Sequence, residues 1–329
     1  MGLEGTVLSW LRSFLEEFDE SFISIIPKAY KKELTDLLPA LHISAQLGGL
    51  ISNGFILTVI LREWNKNRSL DSSDQLFLSL VVTNLWATVF IIPICINDYI
   101  IPMFPKRLGD QIIYPFGDFI AISRHWFTAC LCVFYYIKIV NSTQSFFLWC
   151  KLRISWLVPR LIAGSLIVSS FLGIFMSLCT LRNIQSNTTI IDTKWNEGMS
   201  HYRKTDTPEI VFLIVGSGSP LLVILICSIL VVVSLCRHLY RMKCKEHFSR
   251  NLQIKAHVKA AGIILSNLFL YLLFYVVQTL FLIVTMEKME GALVTIPVLV
   301  YPPAQAYILL LGNPKLKQAA ARVFPRRET

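Results

Sequence analysis

The sequence predicts an all-α integral membrane protein in which seven helices cross the bilayer as one bundle. Hydrophobic residues make up 54% of the 329 residues and charged residues only 16%, whereas charged residues form roughly 25% of a typical soluble domain. A hydrocarbon core roughly 30 Å thick is crossed by about 20 apolar residues in helical form, and seven stretches of this kind follow one another along the chain. Seven such stretches in so short a chain cannot all be hidden inside a soluble core.

Each predicted span is a run of apolar residues with few charges. The leading residues 1–40 show apolar positions at spacings of three and four between Val7 and Phe18, so we expect either an extracellular amphipathic helix there or a disordered segment. Residues 41–312 are expected to form the seven-span bundle, and residues 313–329 a basic cytoplasmic tail. The seven spans, numbered in chain order, are Leu41–Leu61, Leu76–Ile96, Ile112–Val140, Ile154–Cys179, Val211–Cys236, Ala260–Met286 and Leu293–Leu311.

The net charge of +10 is explained by where the basic residues lie. Lysines and arginines cluster after spans 1, 3, 5 and 7, with Arg62, Lys151 and Arg237 among them, while the opposite connections carry mixed charge. The positive-inside rule then predicts an extracellular N-terminus and a cytoplasmic C-terminus. Because basic loops interact with anionic lipid of the inner leaflet, we expect a multi-pass plasma-membrane protein with the lipid bilayer as partner and no nucleic acid.

This orientation also selects among the glycosylation sequons. Asn67 and Asn141 fall on the cytoplasmic side, so Asn187, between spans 4 and 5, is the predicted glycosylation site. The eight cysteines show no zinc-like spacing, and we expect no metal and no cofactor. Only Cys95 and Cys179 lie near the outer face, and a disulfide between them remains open.

The polar residues inside the spans do not fit an enzyme, a transporter or a channel. An intramembrane enzyme needs paired aspartates, a Ser with a His, or a metal-binding His cluster, and the spans contain none of these. Matched halves with broken helices, as in transporters, and filter sequences, as in channels, are also missing. The charged residues Asp118 and Arg124 on span 3 are therefore the most informative ones, since charges at this depth normally face the bundle interior.

Two long segments resemble one receptor family. FYYIKIVNSTQSFFLWCKLRI (Phe134 to Ile154) is similar to the inner end of span 3 and the second inner loop of type 2 bitter taste receptors, which read approximately FYFLKIANFSHPxFLWLKWRI. YPPAQAYILLLGNPKLKQA (Tyr301 to Ala319) resembles their span 7 ending, YPxxHSxxLILGNxKLKQ. SNGFI in span 1 and LDSSDQL before span 2 support the match, which runs in order from about Gln46 to Val323.

The resemblance implies a G-protein-coupled receptor of the bitter taste type. Such a receptor binds small, mostly apolar agonists in an outward-facing cavity among the spans and activates a heterotrimeric G protein of the gustducin or inhibitory class. A seven-span receptor for an endogenous small ligand outside taste is the alternative, and a transporter or channel is a more distant one. The candidate ligand-binding residues are Gly117, Asp118, Ala121, Ile122, Tyr271, Phe274, Gln278 and Thr295. The candidate G-protein-facing residues are Lys138, Arg237, His238, Lys255 and His257.

Departures from the family pattern give two further expectations. Where many members have a pocket Trp and a nearby Asn on span 3, this chain has Gly117 and Ala121, so Asp118 becomes the polar element of a reshaped pocket. The usual span 2 arginine is Asn84 here, and the span 7 His-Ser pair is Gln305 and Ala306. We therefore expect Arg124 to replace the span 2 arginine in a structural polar network, hydrogen-bonded toward Asn53, Asn84 or Gln305.

Overall fold

The computed structural model describes residues 28–99, 114–140, 145–188, 210–243, 251–283 and 288–323, and the regular structure in these ranges is helical throughout. Within these ranges, each predicted span overlaps a long helix. The helices that contain spans 1 to 4 are Lys28–Asn67, Ser72–Tyr99, Tyr114–Ile139 and Ile154–Thr188. Span 5 is formed by a π-helical turn, Phe212–Gly218, followed by the helix Ser219–Lys243, and spans 6 and 7 lie in Asn251–Ile283 and Lys288–Gly312.

Five of these helices contain a segment long and apolar enough to cross a bilayer when the described residues alone are considered. The segments lie in spans 1, 3, 4, 5 and 6: Ala40–Asn67, Phe116–Ile139, Ile154–Cys179, Phe212–Ser234 and Ala261–Thr279. In the helices of spans 2 and 7, part of the side chains lies outside the described residues. Spans 2 and 7 nevertheless pack within the same bundle as the other five.

Span 3 is the central helix of the bundle. In the most apolar part of span 3, 72% of the residues are buried by other parts of the chain, against 28% in spans 1 and 4. Span 3 packs on spans 2, 4, 5 and 6, whereas span 1 packs on spans 2 and 7. Side chains of span 3 can therefore contact several helices at once, as a site at the centre of the bundle requires.

Small residues allow close helix contact at two points. A Cβ atom at Gly49 of span 1 would lie 3.4 Å from both Pro303 Cδ and Thr88 Oγ1. A Cβ atom at Gly216 of span 5 would lie 3.1 Å from Ile122 Cγ1 of span 3. The second contact falls within the π-helical turn, a type of local distortion that is frequent at functional sites.

Two short helices lie between spans 3 and 4 and after span 7, and they were not predicted from hydropathy. The loop helix Ser145–Leu152 connects spans 3 and 4, and the tail helix Pro314–Val323 follows span 7. The tail helix starts after Asn313, whose Oδ1 accepts a hydrogen bond from the Lys315 backbone N–H at 2.9 Å, and Leu316 is buried against the core of spans 1, 2, 3 and 7.

The amphipathic helix predicted between Val7 and Phe18 lies outside the described residues. Cys179, one of the two cysteines for which the sequence leaves a disulfide open, carries a free thiol.

Candidate functional site

Buried amides connect four spans at the centre of the bundle. Asn84 Nδ2 of span 2 donates to Asn53 Oδ1 of span 1 at 3.3 Å and to Gln305 Oε1 of span 7 at 3.0 Å. Gln305 Nε2 in turn donates to Thr128 Oγ1 of span 3 at 2.9 Å. All four side chains are inaccessible to solvent. We call Asn53, Asn84, Gln305 and Thr128 the amide chain. Because an unpaired amide at this depth is costly, these bonds fix the relative positions of the four helices.

The amide chain also contacts the polypeptide backbone. Asn53 Nδ2 donates to the Gly49 carbonyl at 2.9 Å and to the Pro302 carbonyl at 3.4 Å. Pro302 and Pro303 cannot donate a backbone hydrogen bond, so this region of span 7 benefits from polar partners on neighbouring helices. Span 7 continues as helix through both prolines.

Arg124 lies beside the amide chain, with its side chain 4% exposed. Its Cζ lies 4.5 Å from the ring centroid of Tyr301 and 5.7 Å from that of Phe274, while Nε is buried with no hydrogen-bond partner among the described residues. The guanidinium is therefore stabilised by aromatic faces. The link to the amide chain runs through Tyr301, whose hydroxyl accepts a hydrogen bond from Gln305 Nε2 at 3.4 Å. The expected hydrogen bonds from Arg124 to Asn53, Asn84 or Gln305 are thus replaced by a ring-mediated contact.

An aromatic cluster joins spans 3, 5, 6 and 7 next to Arg124. The His125 ring centroid lies 4.8 Å from that of Tyr271 and 4.9 Å from that of Phe274, and Phe274 lies 5.4 Å from Tyr301. The ring centroid of Phe212, in the π-helical turn, lies 6.5 Å from that of His125. Below, His125, Phe212, Tyr271, Phe274 and Tyr301 are called the aromatic cluster.

The π-helical turn of span 5 contacts span 6 through a hydrogen bond. Tyr271 Oη donates to the Ser217 carbonyl at 2.9 Å, and the Ser217 hydroxyl lies 3.3 Å from the same Oη. A π-helical turn displaces carbonyls from the regular i to i−4 pattern, so they become available to partners on other helices. Tyr271 is inaccessible to solvent, and its hydroxyl therefore ties the distorted turn directly to span 6.

The seven predicted ligand-binding residues whose side chains the structure describes differ in burial. Ile122, Tyr271 and Phe274 are buried, and Ile122 packs with Leu172, Met176 and Phe212 of spans 4 and 5. The remaining described ones, Gly117, Asp118, Ala121 and Gln278, are half-buried. A Cβ atom at Gly117 would meet open space. The side chain of Thr295 lies outside the described residues.

The predicted G-protein-facing residues are only partly described. Lys138 is exposed, and its Nζ lies 5.5 Å from the Phe134 ring centroid. Arg237 is also exposed. The side chains of His238, Lys255 and His257, as well as that of Asn187, lie outside the described residues.

Sequence reasoning gave no role to three residues that hold the centre together. From the sequence, Tyr301 is only the first residue of the span 7 motif, and neither His125 nor Thr128 has an assigned role. Their bonding partners are distant in the chain, as in the pair Gln305 and Thr128, which are 177 positions apart. Within one helix, the sequence does show that Arg124, His125 and Thr128 lie within about one turn of each other on span 3.

Comparison with known proteins identifies the family. Residues 32–327 match the family model described as "Taste receptor protein (TAS2R)". The chain is 28% identical to "Taste receptor type 2 member 8" of Pongo pygmaeus, with 84% of this chain and 91% of that protein covered. It is 30% identical to "Taste receptor type 2 member 123" of Mus musculus, covering 84% and 89%, and 30% identical to "Taste receptor type 2 member 3" of Papio hamadryas, covering 82% and 87%.

These matches confirm the resemblance seen in the inner-end motifs of spans 3 and 7, and the predicted fold class with it. The family consists of receptors and not enzymes, and identities of 26–30% make this chain a divergent member. The chain therefore belongs to the type 2 taste receptor family, the bitter taste receptors, and is a multi-pass membrane receptor with the seven-transmembrane G-protein-coupled receptor fold.

Proposed function

We propose that this receptor binds small, mostly apolar molecules in an outward-facing pocket among spans 2, 3, 5, 6 and 7, with the aromatic cluster beneath it. The cluster is the observation that carries the proposal, since His125, Phe212 and Phe274 bring three of these spans together within ring contact. Apolar pockets with a few polar groups are the usual form of small-molecule sites. Ile122 and Phe274 are buried and form apolar packing beneath the pocket, and the half-buried Asp118 supplies a polar group on the outer side of span 3.

Activation is proposed to shift the population between two packings of the bundle. A ligand can do so only through different affinities for the two packings. The Tyr271 to Ser217 hydrogen bond is a contact that would differ between them, because it joins span 6 to the distorted turn of span 5. Outward movement of span 6 would then open the inner face to a heterotrimeric G protein of the gustducin or inhibitory class.

The inner face is proposed to present basic side chains to that G protein. Lys138 at the end of span 3 and Arg237 at the end of span 5 are both exposed, and His238, Lys255 and His257 are neighbours of these positions in sequence or across the connection between spans 5 and 6. Under the positive-inside rule, these basic positions support an N-terminus outside and a C-terminus in the cytoplasm of a plasma-membrane protein.

A calcium assay in cells tests the proposal. Cells that express the receptor together with a G-protein α subunit of the gustducin or inhibitory class, fused to a calcium-coupling tail, are exposed to a panel of bitter compounds. We expect at least one compound to give a concentration-dependent response that requires both proteins. A response that persists without the α subunit, or silence across the panel from a receptor present at the cell surface, would contradict the proposal.

A pair of variants at one position tests the pocket itself. Gly117→Ala adds a methyl group in open space and should leave agonist potency unchanged. Gly117→Trp fills that space with an aromatic wall and should change the potency ranking of the agonists while surface expression stays constant. Identical rankings for the two variants would place the ligand elsewhere.

A further inference from the structure

The corner between the loop helix and span 4 exposes large apolar side chains. Trp149 of the loop helix is 40% exposed, Trp156 of span 4 is 44% exposed, and Leu148 and Leu152 are 51% and 77% exposed. The two indole rings contact each other edge to face, with 6.1 Å between centroids. Tryptophan and leucine in such a position are typical of the boundary between lipid headgroups and acyl chains.

Two arginines lie on these indoles. Arg160 Cζ is 3.4 Å from the ring centroid of Trp156, and Arg153 Cζ is 5.6 Å from that of Trp149. Both arginines are exposed. A guanidinium that lies on an aromatic face keeps its N–H donors at the edge of its plane, where they suit the oxygens of a phosphate group.

Arg160 directs its charge toward the end of the membrane segment. It lies six residues after Ile154, the first residue of span 4, so its backbone is about 9 Å along the helix at 1.5 Å per residue. Its Nη1 donates to the Trp156 carbonyl one turn earlier, at 2.9 Å. The long side chain therefore carries the charge back to the depth of the indoles, as arginines near helix ends do.

From these contacts we infer that Trp149, Arg153, Trp156 and Arg160 form a binding site for an anionic phospholipid of the inner leaflet. The lipid phosphate accepts hydrogen bonds from the Arg153 and Arg160 guanidinium groups, and an acyl chain lies along Leu152 and Trp156. Charge complementarity supports a lipid with net negative charge, and Lys151 adds a further positive charge. The inference rests on the proposed orientation, because anionic lipid is concentrated in the cytoplasmic leaflet.

The neighbouring surface favours a lipid over a protein as the occupant. Apolar side chains continue from the corner along the side of span 4 that faces away from the bundle, where Ile167, Phe171 and Ile174 are 69%, 72% and 62% exposed. A seven-span receptor turns such a face to the acyl chains of the bilayer. The site is thus continuous with the lipid-facing surface, and a headgroup bound to the arginines would have its chains beside this face.

Tryptophan quenching by brominated lipid measures binding at the site directly. The full-length receptor is reconstituted in dioleoylphosphatidylcholine vesicles that contain increasing fractions of brominated phosphatidylserine or brominated phosphatidylcholine. We expect one quenching component to reach half its amplitude at a phosphatidylserine fraction at least about fivefold lower than the phosphatidylcholine fraction, because a single basic side chain near anionic lipid contributes about that factor and the site has two arginines. The Trp149→Phe and Trp156→Phe double variant should remove the amplitude of that component.

Arginine variants separate a specific site from general charge. In the Arg153→Gln and Arg160→Gln double variant, the phosphatidylserine and phosphatidylcholine fractions at half quenching amplitude should become equal within error. Arg62 is an exposed arginine at the end of span 1, and Arg62→Gln should leave the difference between the two fractions unchanged. Each variant is compared only if it elutes as a single species with wild-type helicity, and Arg160→Gln alone serves if the double variant does not fold.

Several results would overturn the site. The first two are equal quenching by the two lipids in the wild-type receptor and an unchanged preference for phosphatidylserine in the double arginine variant. The other two are an equal loss of this preference in Arg62→Gln and a quenching component that survives both tryptophan replacements. A double arginine variant that keeps its lipid preference but loses activation of the α subunit would assign the corner to G-protein docking. Quenching needs no agonist, so failure of the calcium assay leaves this measurement independent.

Discussion

Arg124 is a buried cation whose described contacts are aromatic. Tyr301 and Phe274 lie within 6 Å of its Cζ, a distance at which a desolvated cation gains about 2 kcal/mol from a ring face. A charge at this depth is tolerated only where the surroundings stabilise it. The guanidinium therefore depends on the rings of spans 6 and 7, and the packing of these spans depends in turn on the guanidinium.

Arg124→Ala should impair the receptor for every agonist alike. Truncation of Arg124 removes its contacts with the Tyr301 and Phe274 rings, which are worth about 2 kcal/mol when desolvated, and leaves a cavity between spans 3, 6 and 7. We therefore expect a lower thermal unfolding midpoint and reduced signalling with an unchanged potency ranking. The midpoint of the purified receptor and the calcium response to the agonist panel check this. Arg62→Ala, at an exposed arginine, is the control. A variant that loses one agonist selectively would instead make Arg124 a ligand contact.

A charge exchange between spans 2 and 3 tests whether Arg124 replaces the span 2 arginine. Asn84 lies in the same amide chain as Gln305, 3.0 Å away, and both side chains are fully buried. The double variant Arg124→Ser with Asn84→Arg should recover signalling that Arg124→Ser alone has lost, because one cation again lies in the central space. A double variant that signals no better than Arg124→Ser would contradict the replacement.

At the scale of elements, Gly216 lets the π-helical turn of span 5 approach span 3 closely. A Cβ atom at Gly216 would lie 3.1 Å from Ile122 Cγ1, so Gly216→Leu should lower stability by about 1–3 kcal/mol through overpacking. Gly164→Ala on the exposed face of span 4 is the matched control, since its Cβ would meet nothing within 4 Å. Thermal unfolding of the two purified variants gives the comparison, and equal midpoints would show that span 5 tolerates a side chain there.

The tail helix is attached to the start of span 2 by an ion pair with two acceptors. Lys315 Nζ lies 2.9 Å from Asp71 Oδ2 and 3.2 Å from Asp74 Oδ2, and the Asp74 side chain is 7% exposed whereas that of Asp71 is 71% exposed. Exposed ion pairs contribute about 0 to 1 kcal/mol, and a buried carboxylate loses more when its partner is removed. The buried Asp74 carboxylate therefore loses more stability than Asp71 does when the lysine is removed, even though the shorter hydrogen bond to Asp71 makes the larger contribution to the pKa of Lys315.

Lys315→Met should release the tail helix more effectively than Asp71→Asn does. The lysine replacement leaves the buried Asp74 without its cation, whereas the loss of Asp71 leaves the pair with Asp74 in place. A nitroxide attached at exposed Arg322 and observed by electron spin resonance reports the mobility of this helix. Equal mobility in the two variants would mean that Leu316 packing alone holds the tail.

The same ion pair has a defined pH dependence. The hydrogen bond to Asp71 is the main cause that raises the pKa of Lys315 above its usual value. Because the folded-state pKa is raised, the stabilisation is fully present below the pKa of the unfolded chain and is lost as the pH rises through the folded pKa. Tail-helix mobility should therefore stay constant near neutral pH and increase in alkaline buffer, and an increase already near neutral pH would contradict this assignment.

At the scale of the whole molecule, glycosylation tests the proposed orientation. With the N-terminus outside, Asn187 is the only sequon of the three that meets the glycosylation machinery. Glycosidase treatment should shift the wild-type receptor on a gel, Asn187→Gln should abolish the shift, and Asn67→Gln and Asn141→Gln should retain it. A shift lost in either of the latter two variants would reverse the orientation.

Hydropathy alone predicted where the long helices lie, because an apolar stretch of bilayer length has few alternatives to a membrane-spanning helix. It did not predict where the helices begin. The span 1 helix starts at Lys28, well before the apolar run at Leu41, since helix formation depends on backbone bonding and not on lipid contact. The loop helix Ser145–Leu152 was not predicted, because eight residues are too few to show a clear helical periodicity of apolar positions.

The sequence by itself determined the class of the molecule: seven apolar spans in alternation with basic connections, and family motifs at the inner ends of spans 3 and 7. Only the tertiary structure decided that Arg124 lies on Tyr301 and Phe274, that Gln305 joins Asn84 to Thr128, and that Arg160 lies on Trp156. The physical reason is that transfer to the bilayer depends on the composition of each segment. The partner of a buried polar group, in contrast, depends on which helices the packed bundle brings together.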